Sequence, residues 1–350
     1  METPAVSSSS SAHFSWVDLA RFSGAFLVVL AHVVTYPGLM GTGTFWAQTA
    51  YFTLSRIAVP LFFLLSGMLL LSKEEPLGVF YRKRTLKVIF PFLVWSLIYF
   101  YWYRASTGNV SSISFLLEGI VKTLKSPRAA HLWFFYSLIG LYIITPVLRV
   151  FTARATKTDL LYFCGIWLIV VAVLPIINEQ FSILIDFDFP FSSGYIGYFV
   201  LGFFLAGVPL TRKTLLLSAS IFLASYIFTF LAIYIGMQSP KYDQFYEQYL
   251  SLNVILMSSS AFLLFKSMND FIPEGIKKWL IPLSGASFGI YLLHVLVMDL
   301  FEIYLPPVLP FLKTGSTVFV MPLVGFSAFV LCLILILVVQ KIPLAKYIVP

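Results

Sequence analysis

Long apolar segments alternate with short polar connections along the whole chain. Ten segments of mostly apolar residues are each close to the roughly 17 to 25 residues that cross a bilayer as a helix; they lie at 17–36, 49–71, 85–104, 131–150, 159–178, 195–210, 214–236, 249–268, 284–304 and 317–340. The sixth is short and rich in glycine, and the segment from Ser111 to Leu124 has the pattern of a helix at the membrane surface. The pattern predicts an all-α polytopic bundle of about ten transmembrane helices, with residues 16–350 as one domain and residues 1–15 as a disordered cytoplasmic tail.

Composition agrees with this pattern. Of 350 residues, 59% are hydrophobic and 11% are charged, which is more apolar than a soluble domain of this length needs. The net charge of +8 would also suit a nucleic-acid-binding protein, but the basic residues are spread over short connections, as in membrane proteins. Cys164 and Cys332 both lie in apolar segments without metal-ligand spacing, so neither a disulfide framework nor a metal site is expected. The expected partner is the lipid bilayer, not nucleic acid.

Lysine and arginine are distributed unequally between the two sets of connections. Fifteen of them follow the even-numbered segments and six follow the odd-numbered ones. Because the richer side is usually cytoplasmic, both termini are predicted to lie in the cytoplasm, as in a multi-pass protein of a bacterial-type inner membrane. The longer connections at 105–130, 179–194 and 237–248 then face outward.

The first segment carries charged groups inside an apolar stretch, which is costly in a membrane and therefore usually functional. Arg21 and His32 are eleven residues apart, close to three helical turns, so they share one face about 16 Å apart along the axis. Asp18 lies three residues before Arg21 and is expected to pair with it across one turn. Arg56, roughly two turns into the second helix, is expected at a depth similar to that of His32.

Six stretches of the chain resemble, in order, motifs of the integral-membrane acyltransferase 3 family. They are Asp18-Leu-Ala-Arg21 with His32, Arg56-Ile-Ala-Val-Pro-Leu-Phe-Phe-Leu-Leu-Ser66-Gly67, Arg84-Thr-Leu-Lys87-Val-Ile-Phe-Pro91, His131-Leu-Trp133-Phe-Phe, Tyr142-Ile-Ile-Thr-Pro146 and Ser287-Phe-Gly-Ile-Tyr291-Leu-Leu-His294. Lys87 stands where the family has arginine. The resemblance implies a membrane enzyme that takes an acyl group, most simply acetyl, from cytoplasmic acetyl-CoA and transfers it to a hydroxyl of an extracytoplasmic or lipid-linked saccharide, as in exopolysaccharide or O-antigen modification.

His32 is the expected catalytic residue, either as the base that takes the hydroxyl proton or as a transiently acylated nucleophile. The alternative is a histidine that only hydrogen-bonds a neighbouring helix. Arg21 is expected to contact the phosphates of acyl-CoA, with Asp18 as its orienting partner. Arg56 is expected either to stabilise the oxyanion or to hold the sugar, and an interhelical structural contact competes with both.

The remaining expected site residues lie at the two membrane surfaces. Arg84 and Lys87, with Arg82, are candidates for the cofactor phosphates, although the same cluster is typical of a positive-inside anchor. Candidates for acceptor contact are His131, Trp133, Tyr291 and His294, with Asp299 and Glu302 further out; their alternatives are an aromatic belt and structural hydrogen bonds. Ser66 and Gly67 are expected to allow close helix packing rather than to act chemically.

Two other classes of function compete with the enzyme. A transporter or flippase would move a polysaccharide or its precursor without acyl transfer, and a structural subunit of an assembly complex would have no chemistry of its own. The second leaves the Arg21 and His32 pattern without a purpose.

Overall fold

The computed structural model describes residues 14–43, 45–105, 113–181, 194–239, 244–343 and 345–350. These residues form a bundle of α-helices, and they contain no β-strand beyond a single bridge between Thr42 and Ser316. The helices are α1 (Ser15–Val33), α2 (Phe45–Ser55), α3 (Ala58–Leu71), α4 (Leu77–Arg84), α5 (Phe90–Ala105), α6 (Ile113–Lys125), α7 (Trp133–Thr152), α8 (Lys157–Leu168), α9 (Leu174–Phe181), α10 (Ile196–Ala206), α11 (Arg212–Gly236), α12 (Leu252–Ser267), α13 (Glu274–Val308), α14 (Phe311–Thr314) and α15 (Thr317–Val339).

The prediction of an all-α polytopic bundle is confirmed. Within the described ranges, nine helical stretches are long and apolar enough to cross a membrane, and each overlaps one predicted segment. Residues 1–13 of the predicted tail lie outside the described residues.

The sixth predicted segment, 195–210, corresponds to α10, which has only 11 residues. The Tyr198 hydroxyl donates to the Tyr249 carbonyl just before α12 (2.6 Å), and Lys266 near the end of α12 donates to the Ala206 carbonyl (2.6 Å). Because both ends of α10 are tied to the matching ends of α12, the two helices run in the same direction through the bundle. A short buried helix therefore stands where the sixth crossing was expected.

Helix α10 approaches α3 very closely, and glycine makes this possible. A Cβ atom on Gly67 would lie 2.1 Å from the carbonyl oxygen of Phe199, and one on Gly202 would lie 2.0 Å from that of Leu64. Any side chain at either position would overlap the backbone of the facing helix. The packing role expected for Gly67 is confirmed.

A helix break places Arg56 in the interior. The second crossing is interrupted between α2 and α3 at Arg56 and Ile57, and Pro60 stands four residues after Arg56. Proline has no N–H for the Arg56 carbonyl and its ring clashes with that group, so the helix cannot pass through regularly. The same effect widens two other helices into π-turns, Thr85–Ile89 before Pro91 and Ile169–Val173 before Pro175.

The surface helix expected at Ser111–Leu124 is observed as α6, and the first residues of the prediction lie outside the described part. Its outward face carries exposed Leu117, Ile120, Val121 and Leu124 at helical spacing. Gly119 on the opposite face packs against Phe100 of α5. An apolar stripe that none of the described residues covers suits a helix that lies in the membrane interface.

Candidate functional site

Three histidines from three different helical elements meet near the end of α1. The rings of His32 and His294 have centroids 4.8 Å apart, and the ring of His131 lies 6.2 Å from the first and 4.9 Å from the second. His294 is fully buried and His131 is 2% exposed. The sequence pointed to each residue separately, and the fold brings them into one cluster, which we call the histidine cluster.

The hydrogen bonds of the cluster fix which ring nitrogens carry protons in the neutral form. Nδ1 of His294 lies 2.7 Å from the Tyr291 carbonyl, so it must donate, and its Nε2 is left as an acceptor. That Nε2 lies 3.3 Å from Nδ1 of His32, which also reaches the Val28 carbonyl at 2.8 Å. Nδ1 of His32 is therefore the donor in both contacts. Its Nε2 keeps a lone pair and has no hydrogen bond to a described residue.

His131 completes the cluster without a comparable bond. Neither of its ring nitrogens has a hydrogen-bond partner in the described chain. The nearby Leu292 carbonyl accepts a hydrogen bond from the Tyr99 hydroxyl at 2.8 Å. The Tyr291 hydroxyl donates to the His131 carbonyl and so holds the short helix Ala130–Leu132 in place. No group of three or more His, Cys, Asp or Glu side chains in the described ranges is arranged to hold a metal ion.

A cavity of about 280 Å³ opens beside the cluster. Its walls include His32 of α1, Arg56 from the break between α2 and α3, His131 and Trp133 at the start of α7, and Tyr291 of α13. The expectation that Arg56 lies at the depth of His32 is met, since the two line the same space. His294 is not on the cavity wall; it contacts His32 from behind. We call this region the cavity end of the bundle.

Arg56 is held rigidly. Its Nε donates to the Glu247 carbonyl at 2.8 Å, and its guanidinium lies 3.9 Å from the ring centre of Tyr249 and 5.0 Å from that of Phe52. Tyr249 is in turn stacked on Trp133, with centroids 5.7 Å apart. The interhelical contacts expected as an alternative for Arg56 are therefore present, together with its position on the cavity wall.

A cluster of basic side chains gathers around Glu75 at the other end of α1. Glu75 lies 2.7 Å from Lys83, 3.3 Å from Arg149 and 3.8 Å from Arg84. The hydrogen bond from Lys83 lowers the pKa of the Glu75 carboxyl below its usual value, and Arg149 and Arg84 lower this pKa further. Burial has the opposite effect but is outweighed. Three cations share one carboxylate, so the cluster keeps a net positive charge. We call this region the basic end of the bundle.

Arg21 lies close to this basic end. Arg21 and Arg84 both lie near enough to Tyr142 of α7 to interact electrostatically with its hydroxyl. Asp18 acts on Arg21 through its charge, but neither a hydrogen bond nor an ion pair within 4.0 Å joins the two among the described residues. The two charges attract each other at a longer distance, and a carboxylate in the first turn of α1 is also favoured by the helix dipole.

Of the three basic residues expected at the helix entrance, only Arg84 belongs to the cluster around Glu75. It is partly buried, with a side chain 17% exposed, and packs over Phe80. Arg82 and Lys87 are exposed and have no ion pair within the described ranges. The π-turn that begins at Thr85 separates Lys87 from Arg84 on the helix surface.

Asp299 and Glu302 fasten the connection after α1. Asp299 accepts hydrogen bonds from the Tyr36 hydroxyl (2.7 Å) and from Trp102 (2.9 Å), and Glu302 accepts from the backbone N–H of Gly38 (3.1 Å). Burial and then the bond to Asp299 raise the pKa of Tyr36. These contacts hold the connection after α1 against α13, and neither carboxylate lines the cavity.

Sequence reasoning missed Glu75, Arg149 and Tyr249 as parts of these sites. Glu75 stands just before the basic run at 82–84, which is the only signal that the sequence offered for it. Arg149 had been counted only as a topology signal, and Tyr249 only as a residue of an apolar segment. Arg149 lies 74 residues from Glu75 in the chain, and Tyr249 is far in sequence from Arg56, so spacing could not join these residues.

Comparison with known proteins gives a family for this chain. The model of the family Acyl_transf_3, described as an acyltransferase domain, matches residues 14–339. An amino-acid racemase of Enterococcus faecalis is 25% identical over 353 aligned positions, covering 95% of this chain and 47% of the racemase. The chain thus spans about half the length of that curated relative, and no solved structure matches it. Because the family model covers nearly the whole described bundle and the resemblance of the six motifs agrees with it, the chain belongs to the acyltransferase 3 family.

Proposed function

We propose that this protein is an O-acyltransferase of a bacterial-type inner membrane. It takes an acyl group, acetyl in the simplest case, from acyl-CoA at the basic end and transfers it to a saccharide hydroxyl at the cavity end. The observation that carries the proposal is His32, whose Nδ1 is occupied by two partners while its Nε2 keeps a lone pair beside a cavity. A histidine held in one tautomer next to a ligand-sized space is suited to general base catalysis.

The donor binds through the basic end. Arg84 and Arg149 present fixed positive charge at the membrane surface, with Arg21 deeper beside Tyr142, and phosphate groups are bound well by such arginines. The distance from Arg21 to His32 is about 16 Å along α1. An extended pantetheine arm of about 20 Å, by bond-length reckoning, covers that depth.

In the transfer step the acceptor oxygen attacks the thioester carbon while its proton moves to Nε2 of His32. The carbon–oxygen bond forms, the carbon–sulfur bond breaks, and the thiolate of CoA takes the proton back from the imidazolium. In the alternative order, Nε2 attacks the thioester carbon, the carbon–sulfur bond breaks and CoA leaves as the thiolate. The acceptor oxygen then displaces the acyl group from Nε2, and the hydroxyl proton passes to the thiolate. Acyl-protein that accumulates without an acceptor would identify this second order.

His294 is placed to act through His32. Its Nε2 accepts from Nδ1–H of His32 and turns the other nitrogen toward the cavity. When His32 takes a proton, the same contact stabilises the imidazolium, as an orienting group does in other base-assisted transfers. His294 is in this role a positioning residue and does not touch substrate.

The racemase relative suggests a second acceptor class for the same chemistry. Its name states an action on amino acids, and an amino acid or a peptide can also offer a hydroxyl. The supporting observation in this chain is the guanidinium of Arg56 on the cavity wall, since an amino acid carries a carboxylate.

Acyl transfer by the purified protein in lipid nanodiscs tests the proposal. Labelled acetyl-CoA is supplied with membrane glycan, and the product is detected by mass spectrometry, which also identifies the acyl group and the acceptor. Transfer or donor hydrolysis that depends on His32 supports the enzyme. Movement of a saccharide across vesicles without any donor, and no acyl product, would instead establish the transporter.

A further inference from the structure

The terminal nitrogens of Arg56 are the unusual feature of the cavity end. Nε is bonded to the Glu247 carbonyl, and aromatic rings of Tyr249 and Phe52 lie against the guanidinium. Nη1 and Nη2 have no hydrogen bond to a described residue. They are not among the fully buried polar atoms, and Arg56 lines the cavity. A rigid guanidinium therefore turns its two-nitrogen fork toward the cavity.

The charge of Arg56 is not compensated by the cavity. Its lining contains aromatic, aliphatic, hydroxyl and histidine side chains and, within the described residues, no aspartate or glutamate. The arginines at the basic end differ, because Arg84 and Arg149 both lie within ion-pair distance of Glu75. An arginine without a counter-ion in a partly buried site is costly unless a ligand supplies the negative charge.

The fold does not need this charge. The helix break at Arg56 is explained by Pro60, and stacking on Tyr249 requires only a flat or cationic group. What remains unused is the fork of donors, whose spacing matches the two oxygens of a carboxylate.

We propose that Arg56 binds a carboxylate on the acceptor, so that the molecule acylated at His32 is a hydroxy acid, such as a uronic acid residue of a surface glycan. The inference rests on the proposed function, because it assigns the acceptor of the same site. One guanidinium balances one carboxylate charge, whereas a phosphate monoester carries nearly two. A cavity of about 280 Å³ is at the lower end of ligand pockets and suits a single ring.

The walls suit such a ring. Trp133 and Tyr249 stack on one another and line the cavity beside Arg56, and they offer flat apolar faces to the C–H face of a sugar. With the carboxylate held at Arg56, a hydroxyl elsewhere on the ring is presented to Nε2 of His32. The carboxylate thus positions the ring, and the hydroxyl is the group that reacts.

Binding is tested without any acyl donor, so the result does not depend on whether transfer occurs. Saturation-transfer NMR on the full chain in nanodiscs compares D-glucuronate with D-glucuronamide, which has the same ring and a neutral amide. L-Serine and L-serinamide form a second pair that distinguishes an amino acid from a sugar as the source of the carboxylate. We expect the acid of at least one pair to bind at least about tenfold more tightly than its amide.

Two variants and a control locate the effect. Arg56→Gln is expected to remove the preference for the acid, and Arg56→Lys, which keeps the charge but loses the fork, to reduce it. The matched control is Arg154→Gln, an exposed arginine outside both clusters, which leaves the preference unchanged. If Arg56→Gln does not fold, two comparisons still test whether Arg56 binds the carboxylate. They are the binding of acid against amide in the wild type, and the same pair in Arg56→Lys.

The proposal is overturned if acid and amide bind equally, or if Arg56→Gln binds glucuronate and serine as tightly as the wild type. A transfer assay adds a second check with methyl glucuronide and methyl glucoside as acceptors. In Arg56→Gln, compared with the wild type, we expect a raised KM for the methyl glucuronide and an unchanged KM for the methyl glucoside. An equal fall in kcat for both acceptors would place Arg56 at the oxyanion and contradict the carboxylate role.

Discussion

The two ends of the bundle use positive charge in opposite ways. At the basic end, Lys83, Arg84 and Arg149 surround Glu75, and side-chain exposure ranges from 12% at Arg149 to 54% at Lys83. At the cavity end, Arg56 has aromatic neighbours and one backbone carbonyl, and the histidines beside it contact each other.

In the proposed function this difference corresponds to two tasks. A polyanionic ligand that arrives from water is bound by several cations that a carboxylate keeps apart and in position. A proton transfer needs one base in a defined tautomer, away from bulk water. The following experiments separate the two ends.

The largest expected effect is that of His32→Ala. Loss of a general base lowers kcat by about 10²- to 10⁴-fold, while donor binding at the basic end is unchanged. Transfer from labelled acetyl-CoA measures the first quantity, and equilibrium binding of CoA measures the second. Full acyl transfer by the alanine variant would refute the mechanism.

A smaller loss is expected from His294→Phe, which removes the acceptor for Nδ1–H of His32. We expect kcat to fall about 10- to 100-fold, as for loss of a buried charge-assisted hydrogen bond, with KM unchanged for both substrates. His294→Gln can still accept that hydrogen bond and should recover part of the rate. The pH profile of kcat should shift in the phenylalanine variant, and a loss that is equal in both variants with an unshifted profile would indicate a purely structural role.

Substitution at the basic end should affect donor binding alone. Arg84→Gln is expected to raise the KM for acetyl-CoA by about tenfold through loss of a charged contact to phosphate, without a change in kcat. Arg82→Gln is the matched neighbour, since Arg82 is exposed and outside the cluster. An equal increase in both variants would show that the helix entrance acts by general positive charge and not through the cluster around Glu75.

The smallest effect concerns stability at low pH. Because contact with Lys83 and the two arginines lowers the pKa of Glu75 below 4.5, its contribution to stability is complete above that value and is lost as the pH falls through the lowered pKa. The contribution is about 1 kcal/mol or less for such a partly solvated network. Thermal unfolding followed from about pH 6 to about pH 3 should show a steeper decline for the wild type than for Glu75→Gln. Parallel curves would exclude the contribution.

Much of the fold followed from the sequence because membrane crossing depends on local apolar length. The nine long helices overlap the predicted segments, and Gly67 has its expected packing role. The helix beginning at Leu77, several residues before the predicted start at 85, was less apparent because the basic run at 82–84 interrupts its apolar sequence. The break at Arg56 was also missed, although Pro60 was visible as its cause.

The candidate site was predicted less completely. His32, Arg56, His131, Trp133 and Tyr291 were each named from the sequence, and all five line one cavity. The place of His294 behind His32 depends on the packing of α13 against α1. The separation of Arg84 from Lys87 depends on a π-turn, which no spacing rule reveals.

The sequence by itself determined an all-helical membrane protein, its family motifs and the single face shared by Arg21 and His32, because these follow from apolar length and helical periodicity. Only the tertiary structure decided that Glu75 joins three cations and that the described residues lining the cavity around Arg56 include no carboxylate. Contacts such as that between Glu75 and Arg149 join parts of the chain that are distant in sequence, and they are set by how the helices pack against one another.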